Sequence, residues 1–152
     1  VVGAALDIAT LDTFLIADGH HVDPAAIRIA LAAKRGRGRI GLVTDAMPTV
    51  GTDASSFVLN GRTVRRRAGR LSLDDGTLAG SDLDMAGAVR FMVRAVGIDL
   101  EEALRMASLH PAETLGLAPD RGRLVEGARA DVVHLTDELR VDGVLIAGSE
   151  IA

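Results

Sequence analysis

Residues 13–45 read TFLIADGHHVDPAAIRIALAAKRGRGRIGLVTD, and this stretch decides the fold class. It opens with the short apolar run Thr13-Phe14-Leu15-Ile16-Ala17, which ends in Asp18-Gly19-His20-His21. A continuous apolar run of this length suits a strand buried on both faces, as in a parallel sheet. Asp23-Pro24 follows. Aspartate accepts a hydrogen bond from the free amides of a helix start, and proline is tolerated at the first helical position. Ile27, Leu31 and the interleaved alanines predict a helix up to Lys34-Arg35-Gly36, where the cations and the glycine are stop signals. Ile40-Gly41-Leu42-Val43-Thr44 repeats the buried-strand pattern and ends at Asp45-Ala46-Met47-Pro48. Strand, helix and strand within about 30 residues predict a βαβ unit with a parallel sheet. Ligands and catalytic groups of parallel α/β folds gather at the C-terminal ends of the strands. His20, His21 and Asp45 are therefore expected on one rim.

The texture changes after this unit. Phe57-Val58-Leu59, Asn60-Gly61 and Arg62-Thr63-Val64-Arg65 predict a β-hairpin with an Asn-Gly turn. Ala68-Gly69 and Asp74-Asp75-Gly76 are further turn signals around Leu71-Ser72-Leu73, and the excursion ends in Gly76-Thr77-Leu78-Ala79-Gly80-Ser81. Ala86, Val89, Val93 and Val96 predict a helix from about Asp84 to Val96, stopped by Gly97. A second helix is expected from Asp99, with Asp99 and Glu102 as a capping-box-like pair and His110-Pro111 as its break. The tail returns to strands at residues 131–135 and 144–147. No internal repeat and no low-complexity linker is present.

Composition narrows the function classes. The chain has 152 residues, Lys+Arg 17 against Asp+Glu 21, a net charge of -4 and 48% hydrophobic residues. Without a cysteine, these residues hold no disulfide, cysteine-ligated zinc finger or cysteine nucleophile. No apolar run approaches the ~20 residues of a membrane span, so no membrane partner is expected. The mildly acidic balance argues against nucleic acid as a partner. Aromatic residues are few: Phe14, Phe57 and Phe91. The first residue is Val1, with no signal-peptide pattern, so position 1 need not be the natural start.

Individual motifs divide into discarded and retained ones. Gly36-Arg37-Gly38-Arg39-Ile40-Gly41 spells G-x-G-x-x-G, but it closes a helix and enters a strand. A dinucleotide fingerprint must instead follow a strand and open a helix, so nucleotide binding is rejected. Arg62, Arg65, Arg66, Arg67 and Arg70 have no interleaved aromatics for base stacking and read as a charged, aggregation-resistant hairpin edge, with phosphate binding as the lesser alternative. His20 and His21 are metal ligands, substrate contacts or turn residues. Adjacent side chains at a strand end diverge, which argues against both binding one ion. Asp45, directly after an apolar strand, is either a loop cap or a proton carrier or metal ligand. His110 and His134 read as structural. No H-E-x-x-H, G-x-S-x-G or P-loop pattern occurs.

Taken in order, several stretches resemble one family. They are residues 16–22, residues 42–47, residues 76–81, Ala103 to Ser108 with Pro111-Ala112, and Gly122 to Gly127 with Ala130 to Val133. Together they resemble the C-terminal part of the N-acetylglucosamine-6-phosphate deacetylase family of the amidohydrolase superfamily. The likeness covers nearly the whole chain, and the first three stretches are its most specific part.

This resemblance implies an α/β fold, namely the C-terminal part of a metal-dependent (β/α)8 barrel with part of a small β-sandwich. Residues 1–55 would hold the last two strand-helix units and 56–80 a hairpin insertion. Residues 81–118 would hold the final barrel helices and 119–152 strands of the sandwich. The family's catalytic acid/base maps onto Asp45, which is also the one possible metal ligand. Sugar-phosphate binding maps onto Asp18, Gly19, His20 and His21, with His21 facing the phosphate or a hydroxyl. The lining of the sugar pocket maps onto Leu78, Ala79 and Gly80. The implied cofactor is a divalent metal, zinc or iron. The family's principal metal ligands, a Glu and two His, have no counterpart here.

The chain is therefore expected to begin in mid-domain and to be inactive alone. Its partners would be an amino-sugar phosphate and either the missing N-terminal half or copies of itself in a homo-oligomer. A cytoplasmic location is expected. Two other readings compete: a different amidohydrolase, such as a cyclic amidase or deaminase, and a non-catalytic sugar-phosphate-binding module.

Overall fold

The computed structural model describes residues 1–151. Its first half is built on the two apolar runs. A short helix α1 (Val2–Asp7) leads into β1 (Thr13–Ile16), α2 (Pro24–Ala33) and β2 (Ile40–Val43). β1 and β2 pair in parallel, in register from Thr13↔Ile40 to Ile16↔Val43. The start of α2 forms as its sequence predicts: Asp23 accepts the Ala25 amide at 2.7 Å, and Pro24 takes the first helical position.

Helices cover this pair of strands. They are α3 (Met85–Phe91), continued by a π-helical stretch over Met92–Val96, then α4 (Leu100–Ala107) and α5 (Leu109–Thr114). The core joins Ile27 of α2, Ile40 and Leu42 of β2, Val89, Met92 and Val96, and Ala103 and Met106 of α4. Each large side chain among these contributes roughly 1.5–3 kcal/mol on leaving water. Asp84 caps α3 by accepting the Gly87 amide. Gly97, at φ 87°, ends the π-helical stretch.

A second apolar nucleus lies under a three-stranded antiparallel sheet, β3 (Ser56–Leu59), β4 (Arg62–Arg67) and β5 (Arg70–Ser72). It consists of Val64, Leu71 and Ala79, flanked by Met47, Phe57 and Leu73. A third sheet takes β6 (Val132–Leu135), β7 (Val141–Ile146) and β8 (Ser149–Glu150). The three hairpins with two-residue turns use Asn60-Gly61, Ala68-Gly69 and Ala147-Gly148, every one of these residues at positive φ. That geometry is the type I′ turn, whose twist matches the flanking strands. The architecture is thus mixed α/β. No helix among the described residues is long and apolar enough to cross a membrane.

Three local expectations need correction and one is refined. Burial of both strands on both faces holds only in part. β2 is buried at Ile40, Gly41 and Leu42, whereas Phe14 and Val43 are each 40% exposed. The cause is that β1 and β2 have only each other as strand partners. Asp99 makes no side-chain cap, and its presumed partner Glu102 instead bonds Arg105 at 3.2 Å. The helix from Asp84 reaches Val96 and stops at Gly97 as expected, with a change from α to π at Met92. His110 and Pro111 do not break α4. Ser108 breaks it, at φ -131°, and His110-Pro111 lie in the first turn of α5, where proline is tolerated.

The arginine cluster is neutralised in part, at three of its five members. Arg62 pairs with Asp75, Arg65 with Asp74, and Arg66 with Asp82.

Candidate active site

The register places Asp18 and Asp45 equivalently. Each lies two residues beyond the last paired positions, Ile16 and Val43, at the C-terminal edge of the sheet. This is the rim that the strand pattern predicts.

After β1 the chain folds around the Asp18 carboxylate. Oδ1 accepts the amides of His20 and His21, both at 2.9 Å, and Oδ2 accepts His21 Nδ1 at 2.7 Å. An ionised carboxylate only accepts, so the Nδ1 of His21 carries the hydrogen. In a neutral ring Nε2 then carries the free lone pair. Burial pushes the Asp18 carboxyl up, but the His21 amide, the His21 ring and the His20 amide outweigh it and hold it below its usual 3.8. Gly19 sits at φ 75°, and a Cβ there would come 2.9 Å from the Phe91 ring. The two histidines diverge. The His21 ring turns back to Asp18, while among the described residues the exposed His20 ring has no hydrogen-bonding or ionic partner.

After β2 the chain kinks at Asp45, an exposed residue at φ 52°. This left-handed conformation is uncommon for a residue with a side chain, and non-glycine outliers of this kind cluster at functional sites. The kink meets the segment that follows β5. Ala46 and Ser81 form an isolated parallel bridge. Ser81 N donates to Asp45 O at 2.9 Å, and Met47 N donates to Ser81 O at 3.1 Å. Just before Ser81, Leu78 bridges Ser72, Ala79 N donates to Leu71 O at 3.2 Å, and Gly80 turns at φ 74°. The Met47 side chain occupies the space beside Gly80, where a Cβ would lie 2.4 Å from Met47 Cγ.

The structure therefore brings the Asp18–His21 turn, Asp45 and the Leu78–Gly80 turn to one end of the sheet. Three neighbours carry no assigned role in the sequence reading: Phe91 under Gly19, Met47 against Gly80, and Ser81. In the sequence Phe91 stands out only as one of three aromatic residues, and nothing local marks the contacts of any of the three neighbours.

The remaining histidines are elsewhere. His110 is buried, with Nδ1 3.3 Å from Ile40 O at the opposite end of β2, and His134 pairs with Asp142 at 3.0 Å. A cleft is also lined by Asp84, Arg90, Arg94 and Arg140. Two of its guanidinium groups are engaged by backbone: Arg90 donates to Leu139 O and Arg94 to Glu138 O. Among the described residues no three His, Cys, Asp or Glu side chains are grouped to hold a metal ion. A closed protein site takes about four ligands, so Asp45 does not make one with its neighbours among the described residues.

Residues 4–151 match the Amidohydrolase family. The chain belongs to the amidohydrolase family.

Within that family the named relatives are deacetylases. A protein of Escherichia coli (strain K12), provisionally named N-acetylgalactosamine-6-phosphate deacetylase, is 42% identical over 148 residues, covering 97% of this chain and 87% of that one. The N-acetylgalactosamine-6-phosphate deacetylase of Escherichia coli O157:H7 is 42% identical over 148 residues, with 97% and 39% covered. The crystal structure of N-acetylglucosamine-6-phosphate deacetylase from Pasteurella multocida superposes with a TM-score of 0.93 at 37% identity. It is matched by 100% of this chain over 39% of its own length. This amidohydrolase chain thus spans most of the first relative and well under half of the other two.

Proposed function

We propose that these residues form the substrate-facing, C-terminal part of an amidohydrolase that converts N-acetylglucosamine 6-phosphate and water to glucosamine 6-phosphate and acetate. The observation that best supports this reading is the kinked Asp45, on the rim that also bears the Asp18–His21 turn. Asp45 is the acid/base. Its carboxylate takes a proton from the attacking water as the new C–O bond forms, and returns it to the amine nitrogen as the C–N bond breaks. Asp18 fixes the His21 ring so that Nε2 faces the ligand. A ring protonated at both nitrogens donates to phosphate from Nε2, whereas a neutral ring accepts from a sugar hydroxyl. Gly19 and His20 complete that turn. Leu78, Ala79 and Gly80 form the wall of the sugar pocket, where small residues permit close approach.

On the same reading, residues 1–55 hold the last two strand-helix units of a (β/α)8 barrel and 56–80 an insertion. Residues 81–118 hold the closing helices and 119–152 part of a small β-sandwich. The divalent metal, zinc or iron, takes its principal ligands from outside the described residues, with Asp45 as one ligand at most. These 152 residues alone are accordingly inactive.

The galactosamine epimer is a second reading, favoured by the names of the two Escherichia coli relatives. Acetate release by the natural gene product from both N-acetylhexosamine 6-phosphates, and from the unphosphorylated sugars, tests the assignment. Preference for one phosphorylated epimer identifies the substrate, and indifference to the phosphate overturns phosphate binding by the Asp18–His21 turn, leaving His21 the sugar hydroxyl.

A further inference from the structure

Ser81 makes four hydrogen bonds around the kink at Asp45. Its amide donates to Asp45 O at 2.9 Å, and its carbonyl accepts from Met47 N at 3.1 Å. Its hydroxyl donates to Thr44 O across 37 positions of sequence and accepts from Leu83 N at 3.2 Å. Ser81 is 1% exposed, so each of these bonds is shielded from competing water.

The bonds to Thr44 and Asp45 are geometrically linked. In an extended strand successive carbonyls alternate in direction, so one residue cannot receive both. The turn to φ 52° at Asp45 brings the carbonyls of Thr44 and Asp45 to the same partner. Asp45 also differs from the other positive-φ residues that carry side chains. Asn60, Ala68 and Ala147 each precede a glycine in a two-residue hairpin turn, and Leu139 lies in the connection between β6 and β7. Hairpin geometry accounts for those four; Ser81 accounts for Asp45. Gly80 permits the arrangement, since a side chain there would meet Met47.

We infer that Ser81 is a positioning residue, which holds the Asp45 backbone in its left-handed kink and so sets the direction in which the carboxylate leaves the sheet. The consequence for turnover rests on the acid/base reading of Asp45; the clamp itself does not. Ser81 follows the Leu78–Gly80 turn directly, so the clamp also ties that turn to Asp45 as one unit.

Hydrogen exchange on the natural gene product tests the clamp without reference to activity. In Ser81→Ala, exchange at the Met47, Ser81 and Leu83 amides is expected to accelerate by about tenfold, the worth of one or two lost hydrogen bonds. Amides of β6 and β7 should be unaffected. Ser81→Thr, which keeps the hydroxyl, should restore slow exchange. If Ser81→Ala does not fold, Ser81→Cys fills the same space with a weaker donor and should show the same acceleration. Unchanged exchange at Met47 in a folded Ala or Cys variant overturns the clamp. In turnover, kcat should fall by more than KM rises in Ser81→Ala, and both should recover in Ser81→Thr. Near wild-type kcat in Asp45→Asn sinks the acid/base reading instead, and leaves the exchange result to decide the clamp.

Discussion

The His21 ring is locked onto Asp18: Nδ1 lies 2.7 Å from Asp18 Oδ2, while Oδ1 of the same carboxylate receives the amides of His20 and His21. One ionised group therefore fixes both the turn and the orientation of its only half-buried imidazole. Because the folded Asp18 carboxyl lies below its usual 3.8, these bonds contribute fully above that value and are lost as pH falls through the lower, folded one. At neutral pH, Asp18→Asn presents an amide that cannot accept both sets of bonds. It should cost about 2 kcal/mol and release the His21 ring. Thermal unfolding and the ring 15N shifts of His21 measure the two effects. Unaltered shifts in Asp18→Asn would contradict the lock.

Gly19 is doubly constrained, by φ 75° and by the Phe91 ring. Gly19→Ala should destabilise the chain by about 1 kcal/mol for the backbone alone, and by more for the clash. Phe91→Leu in the same chain should recover the clash but not the backbone part. Additive effects of the two substitutions in chemical denaturation would argue that the ring and the turn are independent.

Ala68 and Ala147 occupy the first position of type I′ turns at φ 50°, ahead of Gly69 and Gly148. Asparagine tolerates this conformation better. Ala68→Asn and Ala147→Asn should each stabilise by about 0.5 kcal/mol. A lowered Tm in either variant would contradict the turn assignment.

The exposed β1–β2 pair carries a prediction about the isolated 152-residue chain. Phe14 and Val43 are each 40% exposed on strands without further partners, and such edges recruit other chains. The chain should self-associate in size-exclusion chromatography. A compact monomer at all concentrations would contradict this.

Much of the fold was legible because its signals are local. Asp23-Pro24 reads as a cap, and the structure forms that cap. Asn60-Gly61 reads as a hairpin turn and makes one. The apolar runs give both parallel strands and so predict a rim with His20, His21 and Asp45, where the structure also puts Asp18. What escaped depends on distant partners. Asp99 and Glu102 have capping-box spacing, yet Glu102 bonds Arg105 instead. The π-helical stretch at Met92–Val96 has no composition signal. Two residues that shape the rim act across long intervals: Ser81 on Thr44 and Phe91 beside Gly19. A linear reading sees their types but not their neighbours.

The central claim is that Asp45 moves the proton in amide hydrolysis. The most direct measurement is kcat for acetate release from N-acetylglucosamine 6-phosphate by the natural gene product carrying Asp45→Asn. Asparagine keeps the shape and tolerates the left-handed kink, but it cannot carry the proton. A fall in kcat of about 10²–10⁴-fold with KM little changed is the predicted result. Turnover within a few-fold of the wild type would contradict the account.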